Sequence, residues 1–324
     1  MNIEFLKEVL SIPSISGNES MVREYIINFA RKNGIECYTD FKGNLYLTKG
    51  NELIDSEEFY PCVVAHMDTV HRSHIELIES KTNLVIETLD DGDFTTLIAK
   101  HPETNEQTGI GGDDKCGVYV CLEMLLHFNK IKAAFFVEEE IGMKGSKESD
   151  EDFFENVGYT IQFDAPSSNW ITEVCSGQRL FDTDFKELIT EELSNNGYTK
   201  FSNDPFTDVN QLVQKFDFCC LNLGCGYYQQ HSNHEYVIVE EVEDSVRVGK
   251  SLINKLGLKF YRHKKDNLLE ESMFNYFDNI DDFIEDEYDE ISESIVNLVI
   301  ELYNDDVPED RIKELLSDFL RGIY

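Results

Sequence analysis

Basic residues are scarce in this 324-residue sequence: 28 lysines and arginines face 64 aspartates and glutamates, for a formal net charge of −36. A field of that sign repels phosphate backbones and anionic bilayer surfaces, so neither a nucleic-acid nor a membrane partner is expected. No apolar run approaches the ~18–20 residues that span a bilayer. The basic-then-apolar opening of a signal peptide is also missing. Met-Asn-Ile-Glu-Phe-Leu-Lys-Glu reads as the start of a helix, and a cytoplasmic location is the expectation. The eight cysteines include no Cys-x-x-Cys pair, which removes the usual signature of a structural zinc knuckle. Most lie in apolar runs such as Phe218-Cys219-Cys220-Leu221, where a reduced thiol behaves as a small core residue. Internal repeats and low-complexity linkers are absent.

What is present suits a folded globular chain, with 41% hydrophobic and 12% aromatic residues. Apolar side chains recur at helical spacing over residues 3–11 and 18–33, and Gly34 stands as a stop signal. Residues 36–40 and 45–48 read as strands around a Lys-Gly-Asn turn. Short continuous apolar runs at 60–65, 133–137, 159–163 and 217–223 read as buried strands. They alternate with helical patterns at 115–128, 178–195 and 240–257. This alternation predicts an α/β fold, a mostly parallel mixed sheet flanked by helices in three layers, over residues 1–258. Composition shifts after Leu258, and 259–324 reads as an acidic helical extension with helices near 291–303 and 308–322.

Five clusters place acids or histidines at the ends of predicted elements, where an open α/β sheet presents its ligands. Val64-Ala65-His66-Met67-Asp68 ends a buried strand. Two positions apart on an extended chain, His66 and Asp68 face the same side. They fit either a metal-bound imidazole with its supporting carboxylate or a polar strand end without function. In Gly109-Ile-Gly-Gly-Asp113-Asp114-Lys115, Asp113 precedes a helix. It is suited to capping that helix or to being shared between two cations. Glu138-Glu139-Glu140-Ile-Gly leaves an apolar strand, as a solvated acid run or as a site. Asp164 ends another strand. His231 and His234 lie in a Gly-, Tyr- and Gln-rich loop. Together the clusters supply the nitrogen and oxygen donors that a pair of divalent cations needs.

In this order the motifs resemble the co-catalytic di-zinc exopeptidase superfamily. The marks are His66-Met-Asp68-Thr, Gly112-Asp113-Asp114-Lys115, Glu139-Glu140-Ile-Gly, Phe163-Asp164 and His231-Ser-Asn-His-Glu235. Ser11-Ile-Pro-Ser-Ile-Ser-Gly17 and the Gly43-Asn44-Leu45 turn carry the likeness further, and it runs from the N-terminus to about Leu258. By position, the resemblance implies two zincs, with cobalt or manganese as substitutes. His66 and Asp164 would hold one and Glu140 and His231 the other, with Asp113 bridging. It further implies Glu139 as general base and Asp68 as the residue that orients His66. The two cations would lower the pKa of a shared water and polarise the scissile carbonyl.

Superfamily members of the peptidase T and carboxypeptidase G type carry a large lid between the equivalents of Asp164 and His231. Here only 67 positions (231 − 164) separate them, too few for a lid besides the core strands. The architecture therefore resembles the single-domain aminopeptidases. Without a lid, the oxyanion donor and the substrate-carboxylate anchor need other candidates. Tyr227 or Tyr228 fits the first role and Arg179 the second. Glu138 or Asp208 fits the recognition of a free α-amine. The expected activity is hydrolysis of small peptides as an aminopeptidase or dipeptidase. The alternatives are an N-acyl amino acid amidohydrolase and a catalytically silent scaffold that uses the C-terminal helices. The broad apolar faces of those helices leave self-association into a homo-oligomer open.

Overall fold

The computed structural model describes residues 2–50, 58–90, 92–204 and 206–264. Two helices, α1 (Ile3–Leu10) and α2 (Ser20–Asn33), lead into strands β1 (Glu36–Thr39) and β2 (Leu45–Lys49). Strand β3 (Tyr60–His66) precedes α3 (His74–Ser80) and three strands, β4 (Val85–Asp90), β5 (Thr95–Lys100) and β6 (Gln107–Thr108). Helix α4 (Gly112–His127) and strand β7 (Ile131–Phe136) follow, then single turns α5 (Lys144–Lys147) and α6 (Glu151–Phe154) and the long strand β8 (Val157–Ala165). Next come β9 (Trp170–Cys175), β10 (Gln178–Arg179), α7 (Thr183–Asn195), β11 (Lys200–Asp204), α8 (Asp208–Lys215) and β12 (Cys220–Gly224). Strands β13 (Tyr227–Tyr228) and β14 (Tyr236–Ile238) precede α9 (Val239–Leu256).

A nine-stranded sheet runs β1-β2-β7-β3-β8-β12-β9-β10, with β11 beside β9. Its centre, β7-β3-β8-β12, is parallel. These strands are buried along nearly their whole length, which is why they read as continuous apolar runs rather than alternating ones. Helix α4 packs on β3, β7 and β8 with α1 and α9 against it, while α8 packs on β3, β8 and β12. Thus the helix-flanked, mostly parallel sheet expected from the sequence is the observed architecture. Residues 164–231 are occupied by core strands and helices, in keeping with the absence of an inserted lid.

Two features differ from the sequence reading. A second sheet, β13-β14-β5-β4 with β6 on β5, is built from short, half-exposed strands whose patterning is too weak to read. The helix expected over 178–195 begins only at Thr183. Asp182 caps it by accepting the Phe185 N–H at 2.9 Å, and residues 178–179 instead pair with β9. Residues 259–264 still pack on the main sheet, where Tyr261 donates to the Gly158 carbonyl and accepts from the Cys219 N–H. The helices expected near 291–303 and 308–322 lie outside the described residues. No helix among the described residues is long and apolar enough to cross a membrane, and all eight cysteines are free thiols.

Candidate metal centre

Because β7, β3 and β8 are parallel neighbours, their C-terminal ends share one edge of the sheet. That register brings His66 at the end of β3, the Glu138–Glu140 turn after β7 and Asp164 near the end of β8 to one place. Asp113 arrives from the first turn of α4, and His231 from the loop between β13 and β14.

The Asp113 carboxylate spans the two histidines. One oxygen lies 3.1 Å from His66 Nε2 and the other 3.3 Å from His231 Nε2. His66 Nε2 also lies 3.4 Å from Asp164, and His231 Nε2 lies 3.0 Å from Glu140. Two trios sharing Asp113 result: His66 with Asp164, and His231 with Glu140. Asp114, although close to His66 and Asp164, is engaged elsewhere. Its oxygens accept the His66 and Gly117 N–H groups, each at 3.1 Å.

Asp68 holds the arrangement from beneath. It lies 3.3 Å from His66 Nδ1 and accepts the Glu139 N–H at 2.9 Å, the Glu140 N–H at 3.2 Å and the Ser16 hydroxyl at 2.7 Å. One buried carboxylate therefore sets both the imidazole and the acidic turn. The opening Ser-Ile-Pro-Ser segment adds further ties, since Ser14 donates to the Met67 carbonyl and Thr69 to that of Ser14. Asn44 braces the acidic turn from the other side, accepting from the Val137 N–H at 3.2 Å and donating to the Gly145 carbonyl at 3.0 Å.

Glu235, fully buried, is a residue to which sequence reasoning gave no role. It accepts the Gly111 N–H at 2.7 Å and the Asp113 N–H at 3.1 Å, and it lies 2.7 Å from His71 Nε2. It thereby fastens the turn that presents Asp113. No local periodicity gives such a residue its role; it closes the His231-Ser-Asn-His-Glu235 motif, but only the fold shows what it holds. The glycines of that turn are needed for space. Gly111 has φ +66°, and a Cβ on Gly112 would stand 2.7 Å from the Tyr227 Cβ. Gln162 plays a similar part for Asp164, donating to it at 3.1 Å while accepting from Thr207 and the Val209 N–H.

So many buried acids cannot all ionise without cations. Burial pushes Glu139 up to about 10, with Asp164, Asp208 and Asp113 adding to the shift and His66 opposing it. Burial likewise holds Asp164 well above the carboxylate range and raises Glu140. Hydrogen bonds to Asp113 and Glu140 raise His231 to about 10. Burial opposes the charge on His66, yet the surrounding acids Asp164, Asp113 and Asp68 keep it well above its ordinary value. These shifts are those of an acid cluster that lacks compensating cations, and a set of imidazole and carboxylate donors without thiolate suits zinc, manganese or cobalt.

A cavity of about 690 Å³ opens over these groups. Asp113, Glu139, Glu140, Asp164, Tyr227 and His231 line its floor. Its wall includes Ala165, Pro166, Trp170 and Phe206, none of which the sequence singled out. Other expectations need correction. Arg179 does not reach the cavity, because Glu173 takes its guanidinium at 3.2 Å. Tyr228 is turned away, donating to Glu241 at 2.8 Å and stacking on Tyr236, so of the two tyrosines only Tyr227 lines the site. Glu138 is paired with Lys42 at 2.6 Å, and Asp208 is buried beside Gln162; neither lines the cavity.

No protein-family model matches the chain, and no curated protein sequence does. Solved structures do match in fold. An aminopeptidase PepT from Bacillus cereus ATCC 10987 superposes with a TM-score of 0.60 at 13% identity, covering 78% of this chain and 97% of that one. A TET aminopeptidase from the marine sediment archaeon Thaumarchaeota archaeon SCGC AB-539-E09 gives 0.60 at 12% identity, over 79% and 97% of the two chains. A tripeptidase from Staphylococcus aureus subsp. aureus mu50 gives 0.59 at 14% identity, over 78% and 96%. At such identities the likeness is one of fold, and these neighbours agree with the exopeptidase resemblance of the motifs.

Proposed function

We propose that this chain is a cytoplasmic metal-dependent aminopeptidase that hydrolyses small peptides. The observation that carries the reading is the Asp113 carboxylate, with one oxygen 3.1 Å from His66 and the other 3.3 Å from His231. His66 and Asp164 would hold one divalent cation and His231 and Glu140 a second, with Asp113 shared; zinc fits best, and cobalt or manganese suit the same donors. Bound there, the cations supply an acidified water and a polarised carbonyl. The neighbouring carboxyls would ionise beside such charge.

Glu139 is the general base. It lines the cavity and is almost fully buried, and its main-chain N–H is tied to Asp68. Its carboxylate takes the proton of the attacking water and passes it to the leaving amine. Asp68 keeps the ring of His66 in place: burial works against its charge, but His66, Ser16 and the Glu139 N–H hold it below the usual carboxylate range. Tyr227, which lines the cavity, would donate to the developing oxyanion. The eight free thiols suit a reducing compartment.

The test is elemental analysis of the gently purified full chain, followed by assays of leucyl-anilide and N-acetyl-leucine with added zinc, cobalt or manganese. Close to two ions per chain and release of the aniline are expected. Absence of bound metal, together with no activity gained from any of the three ions, would overturn the reading. Turnover of N-acetyl-leucine alone would replace it with the amidohydrolase alternative.

A further inference from the structure

The cavity is asymmetric in a way that the metal centre does not require. Four carboxylates line it, those of Asp113, Glu139, Glu140 and Asp164, whereas no lysine or arginine is found among its described lining residues. Two divalent cations carry four positive charges, so they balance these acids and leave no surplus for a substrate anion. Three basic groups outside the cavity lining are already engaged. Lys42 lies 2.6 Å from Glu138 and 3.7 Å from Glu148, while Arg179 and Lys186 share Glu173 at 3.2 and 2.7 Å. Freeing one of these cations would strand an acid, and a substrate carboxylate placed in the cavity unpaired would meet like charge.

Much of the remaining lining is apolar and incompletely covered. Ala165 and Pro166 follow Asp164 directly in the chain. Trp170 begins β9, and Phe206 is 64% exposed just ahead of α8. A largely exposed phenylalanine lining the cavity gains when an apolar group covers it. Because this apolar lining begins one residue from Asp164, it adjoins the place where the substrate residue bearing the scissile carbonyl would lie.

Resting on the aminopeptidase reading, we propose that Trp170 and Phe206 determine specificity by seating an apolar or aromatic N-terminal side chain of the substrate, and that the site makes no use of the substrate's C-terminal carboxylate. The preferred substrate is therefore the N-terminus of a peptide, with its far end unrecognised.

The experiment measures kcat/KM on the metal-loaded full chain. Phenylalanyl-, leucyl-, alanyl-, lysyl- and aspartyl-anilides are compared, and a Phe-Ala-Ala tripeptide is compared with its C-terminal amide. Phe and Leu should exceed Ala, Lys and Asp by roughly tenfold or more, the usual worth of filling an apolar pocket. The acid and amide tripeptides should agree within about threefold, as expected when no charged anchor distinguishes them. Trp170→Ala and Phe206→Ala should each shrink the Phe/Ala ratio several-fold; Phe206 is largely exposed, so its variant tests the point even if Trp170→Ala folds poorly. Preference for Lys or Asp, loss of activity on amidation, or an unchanged Phe/Ala ratio in Phe206→Ala would overturn this inference while leaving the aminopeptidase reading intact. Loss of all aminoacyl turnover in the unaltered chain would instead count against that reading.

Discussion

The two halves of the centre are built differently. His66 and Asp164 stand at the ends of adjacent strands in the parallel sheet, and the His66 side chain is 1% exposed. His231 lies in a loop with φ +62°, and its side chain is 50% exposed. On the strand side, position is set by sheet register, by Asp68 and by Gln162, before any cation arrives. On the loop side, the ring is held by the two acids it faces, Asp113 and Glu140. A buried half of this kind is preorganised and water-poor, and the loop half is open to exchange. Asp113 joins them, so its own support by Glu235 matters to both.

The sharpest test concerns Glu139, the proposed general base, which belongs to neither trio. Glu139→Gln should lose at least ~100-fold in kcat, the usual worth of a positioned general base, while elemental analysis finds metal content unchanged. Near-normal turnover in that variant would remove Glu139 from the chemistry.

A second test sets the halves against each other in metal-free protein, by denaturant unfolding. His66→Ala removes the imidazole shared by the buried Asp68 and Asp164 and should cost about 3 kcal/mol. His231→Ala removes a half-exposed contact and should cost less than about 1 kcal/mol. Both variants should lose metal, but only the first should lose stability as well. Equal costs would mean that the loop half is as tightly organised as the strand half, and the comparison would fall.

The smallest effect is expected where the support is indirect. Glu235→Gln replaces one acceptor oxygen facing the Gly111 and Asp113 N–H groups with an NH₂ donor. A chelator-competition titration should show metal affinity lowered by roughly 10- to 100-fold, as for other supporting partners of metal ligands. A shift confined to one cation would show that Asp113 is not shared, and unchanged affinity would leave Glu235 a purely structural residue.

The parallel core could be read from the sequence because strands buried on both faces are written as unbroken apolar runs, as in β3, β7, β8 and β12. Acids and histidines at the ends of such runs stand out against them, and His66, Glu139, Glu140 and Asp164 were legible for that reason. The second sheet was not legible, since β4 and β5 are largely exposed or half-buried and therefore lack the continuous apolar run that marks the core strands.

Partnerships across space could not be read at all. Arg179 looks like an anchor for an anion until Glu173 is found beside it, and Tyr228 looks like an oxyanion donor until its hydroxyl is found on Glu241. Trp170 and Phe206 carry no motif and became wall residues only when β9 and the approach to α8 were set beside the end of β8. Periodicity and residue chemistry act along the chain, so the sequence by itself determined the parallel core elements and which side chains carry nitrogen and oxygen donors at their ends. Which of those side chains meet, and which are neutralised by a neighbour, depends on strand order and register, and the tertiary structure alone decided that.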